Sequence, residues 1–519
     1  MLAAVSEASN SDENCKQGNV AQNLERQSLL AIKRTITDKH NLLSTWSGVE
    51  CCEWHGVGCD SRKGHVVKLD LRRPVPWEDF NKKWLEGELS PLLQNLKHLR
   101  YLDLSMNNFY GKIPEFLALN FSCRWIPPFQ LQIFSASSCN IGPYFPNWLH
   151  TQTHLQKLDL SNSSIRGTIP EWFENIISHI LYLDLSNNEI GGKMPLFHFD
   201  SNVEEFYLRT SLKMNSNKFE GSLAAFPSNV ELLDLSDNLL SGDLPQTDGT
   251  MNLSFDVVNL SKNRFSGNIP IDLCKVPSII VLDLSQNKLS GRLPDCLGNL
   301  SVLHAMDLSN NTITGHVPSS LGSLTQLMTL HLHNNRFEGN LPLFLQIMTR
   351  LVTMDIGYNF LVGNIPFWSG ERLLNLRILN LQSNKFTGKI PLQFCQLHVL
   401  QYLNLAQNNI IGTIPSCFAN LNEPSVLQGN NGLCGLPLSR SCKGDSSSYD
   451  HISKVEAQDD DEGFWLYAGM GAGFVVGFLG SLGSLHLIRS WRVAYFETLE
   501  NFYTSILVNL ACLRRTFVS

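Results

Sequence analysis

A right-handed α/β solenoid of short stacked coils, closed by cysteine-bearing caps and followed by one C-terminal transmembrane helix, is the fold class this sequence predicts. Three observations carry that expectation. One phrase, seen in "VLDLSQNKLSGRLPDC" from Val281 to Cys296, recurs along the chain at nearly constant spacing. Cysteines gather at both ends of the repeated region, and a single apolar run without Asp, Glu, Lys or Arg lies near the C-terminus. At 519 residues, 43% apolar and 17% charged, the chain can bury a large core. Its formal charge of -7 argues against a nucleic-acid binder, which would carry a basic face. Thirteen cysteines without a C-x-x-C pair point to an oxidising compartment rather than a zinc or redox site.

The repeats come first, because they decide the fold. Aligned on one asparagine slot they give Asn107, Cys139, Ser163, Asn188, Asn217, Asn238, Asn263, Asn287, Asn311, Asn335, Asn359, Asn384 and Asn408, with every step from Asn238 to Asn408 being 24 or 25 residues. A degenerate first coil, "HVVKLDL", precedes them. Each L-x-x-L-x-L run alternates like a short strand with its leucines inward, and successive strands stack in parallel about 4.8 Å apart. A single unit cannot cover its own leucines, so stability comes from neighbour contacts. The asparagine amide offers a donor and an acceptor to backbone groups left unpaired by the tight turn, a task for which Ser163 and Cys139 are weaker substitutes. In the following G-x-[IL]-P, glycine permits positive φ or close approach, and proline sits where no ladder N–H is needed.

These residues resemble a known family. The phrase L-x-x-L-x-L-S-x-N-x-x-x-G-x-I-P resembles the plant extracellular leucine-rich repeat, and "CCEWHGVGCDSRKGHVVKLDL" is similar to the N-terminal cap of plant receptor-like proteins. "WIPPFQLQIFSASSCNIGPYFPNWLHTQTHLQKLDLSNSSIRGTIPEWF", "GNNGLCGLPLSRSC" and the tail "GFVVGFLGSLGSLHLIRSWRVAYF" resemble receptor-like proteins of the ethylene-inducing-xylanase receptor class. The resemblance implies a leucine-rich-repeat solenoid of the plant extracellular type. It divides the chain into a signal-peptide remnant (1–14), a cysteine cap (15–62), repeats (63–416), a C-terminal cap (417–442), an acidic juxtamembrane segment (443–462), a membrane helix (463–488) and a cytoplasmic tail (489–519).

Cap order in the family implies Cys15 with Cys51, Cys52 with Cys59, and Cys434 with Cys442. Two further pairs follow from register. Cys274 lies 11 residues after Asn263 and Cys296 nine after Asn287, and Cys395 and Cys417 hold the same offsets from Asn384 and Asn408. Each pair sits on adjacent coils at nearly matching angles, where a Cα separation of about 5.5 Å is attainable. The alternative is four separately buried thiols. Cys123, Cys139 and Cys512 have no evident partner.

Surface features agree with export. Sequons stand at Asn120, Asn162, Asn252, Asn259, Asn299 and Asn310, all before the apolar run. That run, residues 463–488, would span about 38 Å as a helix, enough to cross a bilayer. Asp459, Asp460, Asp461 and Glu462 precede it and Arg489 and Arg492 follow, which places the repeats outside and the tail in the cytoplasm. Gly469, Gly473 and Gly477 fall on one helix face, where small residues let another membrane helix approach. The tail is too short for a kinase domain, so signalling needs a partner. The family resemblance implies an adaptor receptor kinase, engaged through the membrane helix and acidic segment, and a co-receptor kinase recruited after ligand binding. It also makes Tyr503 to Ile506, "YTSI", an internalisation signal, for which a membrane-surface tyrosine is the plain alternative.

No catalytic constellation or cofactor motif is expected. His331 and His333 alternate on one strand with no carboxylate or cysteine near them in sequence to complete a metal shell. They are expected on the concave face with Arg377, Asn380, Gln382, Gln401, Asn404 and Gln407, a polar surface suited to an extended ligand. The Asp of "LDL", as at Asp283 and Asp307, reads as structural or as a generic solvent-facing charge. The family function implied is a cell-surface receptor-like protein for plant defence that perceives a proteinaceous or peptide elicitor. Two alternatives stay open: a hydrolase-inhibitor-like binding protein, and a truncated decoy. The second arises because relatives usually carry more coils before the "WIPPFQL" phrase and a non-repeat island after "CFANLNEP".

Overall fold

The computed structural model describes residues 23–73, 84–88, 90–110, 126–195, 210–246, 253–418 and 427–438, with Arg440 and Cys442. All belong to one compact unit, Met1–Gly444. The expected membrane span 463–488, Gly469, Gly473, Gly477, Tyr503 and Ile506 lie outside the described residues, as do Cys15, Asn120 and Asn252. Among the described residues no helix is long and apolar enough to cross a membrane.

Each coil opens on a three-residue strand. Fifteen such strands form one sheet whose order follows the chain from Val57–Cys59 to Tyr402–Asn404. Only the first pair is antiparallel; beyond it, leucine stands beside leucine, as where Leu282 pairs with Met306 and Leu379 with Leu403. The inward positions are sealed: Leu282, Leu284, Leu289 and Leu297 are all 0% exposed. Full burial of one such side chain is worth about 2–3 kcal/mol, and a coil places three or four against its neighbours.

After the strand comes the asparagine turn. Asn311 Nδ2 donates to Leu284 O (3.0 Å) in the previous coil and to Leu308 O and Ser309 O (both 3.1 Å) in its own, while its Oδ1 accepts from Leu289 N at 2.9 Å. The pattern repeats from Asn188 to Asn430. Asn430 extends the column one coil beyond the expected slots. Cys139 fills its slot more fully than expected: its Sγ contacts Leu104 O at 3.1 Å and accepts from the Asn107 and Phe109 amides. Ser163 donates to Ala136 O at 2.9 Å but offers no acceptor to Ile141 N, which bonds Cys139 O instead.

The residue before each asparagine takes the left-handed conformation, with φ near 55° at Gln286, Asn310 and Gln407. That bend turns the chain into a second run of short strands. They form sheets of five strands (Arg166–Thr168 to Arg264–Ser266) and four (Thr314–Gly315 to Lys385–Thr387), which the repeat phrase alone does not announce. The glycine closing this run needs its freedom. Gly291 has φ +74°, and a Cβ there would meet Asn268 Oδ1. Proline then starts a single-turn helix: Pro294 precedes Asp295–Asn299 and its carbonyl accepts from Leu297 N at 3.2 Å.

The N-terminal cap packs a helix over residues 23–35 on the first coil. Trp46 and Trp54 stack with ring centroids 5.7 Å apart. Glu25, only 4% exposed, accepts from Val66 N at 3.1 Å and stands 3.3 Å from His65 Nδ1.

Disulfides join Cys52 to Cys59, Cys274 to Cys296, Cys395 to Cys417 and Cys434 to Cys442. The Cα separations across the two inter-coil bridges are 5.5 and 5.7 Å. Cys51 is a buried thiol bonded to no other described cysteine; burial and the nearby Glu25 carboxylate push its pKa up.

Candidate ligand-binding face

The long sheet presents two outward rows, one from the first residue of each strand and one from the third. Parallel pairing in register keeps each row straight, so residues far apart in sequence become neighbours. The third-position row reads Asp159, Asp184, Lys213, Asp234, Asn259, Asp283, Asp307, His331, Asp355, Asn380 and Asn404.

The acids in this row have a local task. In each, Oδ1 accepts from the backbone two residues on, as Asp283 does from Ser285 N at 2.9 Å and Asp159 from both Ser161 N (3.1 Å) and Ser161 Oγ (2.7 Å). Stacking them has an electrostatic cost. Burial and the neighbouring Asp184 push the Asp159 carboxyl up to about 6, and burial with Asp307 raises that of Asp283.

Two tyrosine stations stand beside this row. Tyr101 OH donates to Asp103 at 3.3 Å under Lys68, whose Nζ lies 4.7 Å from the ring centroid. Tyr182 OH donates to Asp184 at 3.1 Å, with Lys157 and Lys213 at 4.7 and 5.8 Å from its ring. Burial, then the adjacent carboxylate, raises both phenols, that of Tyr101 to about 12. Between the stations and the histidines the first-position row turns aliphatic, with Leu232, Val257, Val281 and Ala305 side by side.

The histidines do have carboxylate partners, contrary to the sequence expectation, because adjacent coils supply them. His331 Nδ1 lies 3.1 Å from Asp307 Oδ2, and His333 Nδ1 lies 3.4 Å from Asp355 Oδ2. Burial lowers the pKa of His331, but the Asp307 hydrogen bond outweighs it and the net shift is upward; Asp307 is held below the usual carboxylate range, against its own burial, by the bonds from His331 and Ser309. Among the described residues no group of three or more His, Cys, Asp or Glu is placed to hold a metal ion.

The other expected face residues divide into separate rows. Asn380 is a half-buried strand residue in line with His331, whereas Arg377 and Gln401 are exposed at the strand's leading edge. Gln382 and Gln407 belong to the turn: Gln407 Oε1 accepts from Ser383 Oγ. Asn404 is only 8% exposed, and its amide donates to Gln382 Oε1 (2.8 Å) and Tyr402 OH (3.1 Å), so it braces the face instead of offering hydrogen bonds to a ligand. Sequence reading passed over the tyrosine stations; the signal was Y-L-D at Tyr101 and Tyr182, with a lysine one coil away.

Of the described sequons, Asn162 and Asn299 are exposed. Asn259 and Asn310 are half-buried and hydrogen-bonded, Asn259 Oδ1 accepting from Ser261 Oγ at 2.7 Å and Asn310 Oδ1 from Asn334 Nδ2 at 2.8 Å.

Comparison with known proteins agrees with this architecture. The leucine rich repeat N-terminal domain family matches residues 22–60, and the leucine rich repeat family matches six stretches: 98–119, 154–176, 278–300, 303–324, 375–397 and 399–421. Receptor-like protein EIX2 of Solanum lycopersicum is 41% identical over 192 residues, 36% of this chain and 17% of the relative. Receptor-like protein EIX1 of the same species is 39% identical over 182 residues, 34% of this chain and 12% of the relative. Receptor-like protein Cf-9 of Solanum pimpinellifolium is 30% identical over 236 residues, covering 40% and 26%. The chain thus spans well under two thirds of the length of these relatives. Among solved structures, a TDR receptor superposes with a TM-score of 0.53 at 28% identity, over 64% of each chain. The plant peptide hormone receptor RGFR1 in complex with RGF2 shares the fold, with a TM-score of 0.52 at 22% identity over 75% of this chain and 68% of that one.

Proposed function

We propose that this chain, a leucine-rich-repeat protein of the plant receptor-like kind, is a cell-surface receptor for plant defence that perceives a peptide or protein elicitor on its long sheet. The observation that carries this reading is the pair of straight outward rows, in which tyrosine, lysine, carboxylate, aliphatic and imidazole groups succeed one another coil by coil. A row of that kind fits an extended chain. Its repeat of about 4.8 Å per strand lets successive ligand residues meet successive coils, with aromatic and charged groups at one end and amides at the other.

In this reading the chain sits in the plasma membrane as a single-pass type I protein, glycosylated on its outer coils. The 463–488 segment and the acidic stretch before it bring an adaptor receptor kinase, and a co-receptor kinase joins on ligand binding, since the chain carries no kinase motif of its own. The test is to express the full chain behind a supplied signal peptide in plant leaves, then measure adaptor co-precipitation and elicitor-triggered cell death. Gly473→Leu with Gly477→Leu should weaken adaptor capture and leave surface delivery intact. Adaptor capture with no response to any elicitor would favour a decoy and overturn the receptor reading.

A further inference from the structure

The face carrying the single-turn helices holds an apolar ridge. The residue after each coil's proline points outward there, and in most coils it is polar or small: Asn147, Glu171, Asp295, Ser319 and Ser416. Three consecutive coils break that rule. Leu343 is 65% exposed, Phe367 60% and Leu392 72%. The helix Leu343–Ile347 packs beside Trp368–Glu371, and that beside Leu392–Gln396, so the three side chains form one line. Scattered exposed leucines mean little, but a contiguous apolar line marks an interaction site.

The ridge has the features of a self-complementary contact. Its order is symmetric, with the largest side chain in the middle and a leucine one coil to each side. Beside Phe367, Glu371 and Arg372 are both exposed, and neither forms an ion pair within the chain among the described residues. A two-fold axis at Phe367 therefore sets Glu371 of one copy against Arg372 of the other, twice. The line with its flanking Ile347 (54% exposed) and Leu374 (49%) offers roughly 600 Å² per copy, close to the half-share of a standard interface. No N-x-S/T sequon occurs between Thr312 and Phe418, so glycans do not stand in the way.

We propose that this ridge is an isologous contact between two copies of the chain, with Phe367 on the two-fold axis. A residue on such an axis meets itself. The full chain is expressed in leaf membranes with two different tags, and Phe367→Cys is oxidised mildly beside the parent chain and Ile271→Cys. Ile271 is equally exposed (62%) at the same coil position but lies outside the ridge. Phe367→Cys should give a covalent dimer carrying both tags, and neither control should.

Phe367→Asp should lower co-precipitation of the two tags by about thirtyfold, the loss expected of a central aromatic anchor. Glu371→Arg alone should weaken it, and adding Arg372→Glu to the same chain should restore it. Gly473→Leu with Gly477→Leu, added to the Phe367→Cys chain, should leave its crosslink in place, separating this contact from helix pairing and from elicitor perception. Absence of the crosslink from chains delivered normally to the surface, or an Ile271→Cys dimer of equal yield, would overturn the proposal.

Discussion

Replacing Asn311 by alanine should cost about 2–4 kcal/mol, and the hydrogen bonds around it show how that figure arises. Three carbonyls lose a donor, but none is orphaned: Leu284 O keeps Asn287 Nδ2, Leu308 O keeps Asn335 Nδ2, and Ser309 O keeps Gln286 N. The Leu289 amide fares worse, since Asn311 Oδ1 at 2.9 Å is its only acceptor among the described residues. A buried unsatisfied N–H costs about 1–3 kcal/mol, and the lost donations add about 1 more.

Repeat stacks need not unfold in one step, so the local readout is hydrogen exchange at the Leu289 amide of the full chain in detergent. Exchange there should speed up by about thirtyfold or more, the factor for a loss near 2 kcal/mol. Amides several coils away, such as Leu160 and Leu381, should change little. Asn311→Ser should cost about half as much, because the structure already contains that substitution: Ser163 still donates, and the stranded Ile141 amide turns to Cys139 O at 3.1 Å. Unchanged protection at Leu289 in the alanine variant would refute the claim that the asparagine column holds adjacent coils together.

Three further expectations follow from the same structure. Cys274→Ser with Cys296→Ser removes a cross-link with a sequence separation of 22 and should cost about 3 kcal/mol in denaturant unfolding of the oxidised chain. Asp159→Asn should raise the melting temperature at pH 7 and leave it unchanged at pH 4. The carboxyl is pushed up from 3.8 to about 6, so its ionisation weakens the fold as pH rises through that window, and Asn259 shows that an amide makes the same turn bonds to Ser261. His331→Gln should abolish a stability component that the parent holds below pH 6.5 and loses as pH rises through the elevated pKa of His331. The Asp307 half of that pair is present above 3.8 and is lost as pH falls through its depressed value, so the contribution peaks between those limits.

The coil period, the inward leucines and the asparagine task were legible in the sequence because each is a local pattern repeated many times. The inter-coil disulfides were legible for the same reason, since a constant period turns an offset into an angle. What escaped were contacts between one coil and the next at positions where the pattern varies. His331 and Asp307 are 24 residues apart and His333 and Asp355 are 22 apart, so no local window holds either pair. The acidic row looked like generic charge because an Asx turn and a solvent-facing Asp share one sequence. Cys139 looked like a poor substitute because a thiol is a weak hydrogen-bonding group, yet burial at 1% exposure, with its thiol pushed up to about 12, lets it both accept and contact a carbonyl. Asn404 was expected to face a ligand from its strand parity, which fixes direction but not whether Tyr402 and Gln382 close over it.

The uniform seam between coils carries an evolutionary corollary. Any two adjoining coils from Asn238 to Asn408 present matching halves of the same joint, whichever gene segment encoded them. Unequal crossing-over that removes or inserts a whole period therefore leaves two intact edges and one well-formed splice, whereas loss of a few codons misaligns everything downstream. Reach can change in whole-coil quanta while the ends that cap the structure stay as they are.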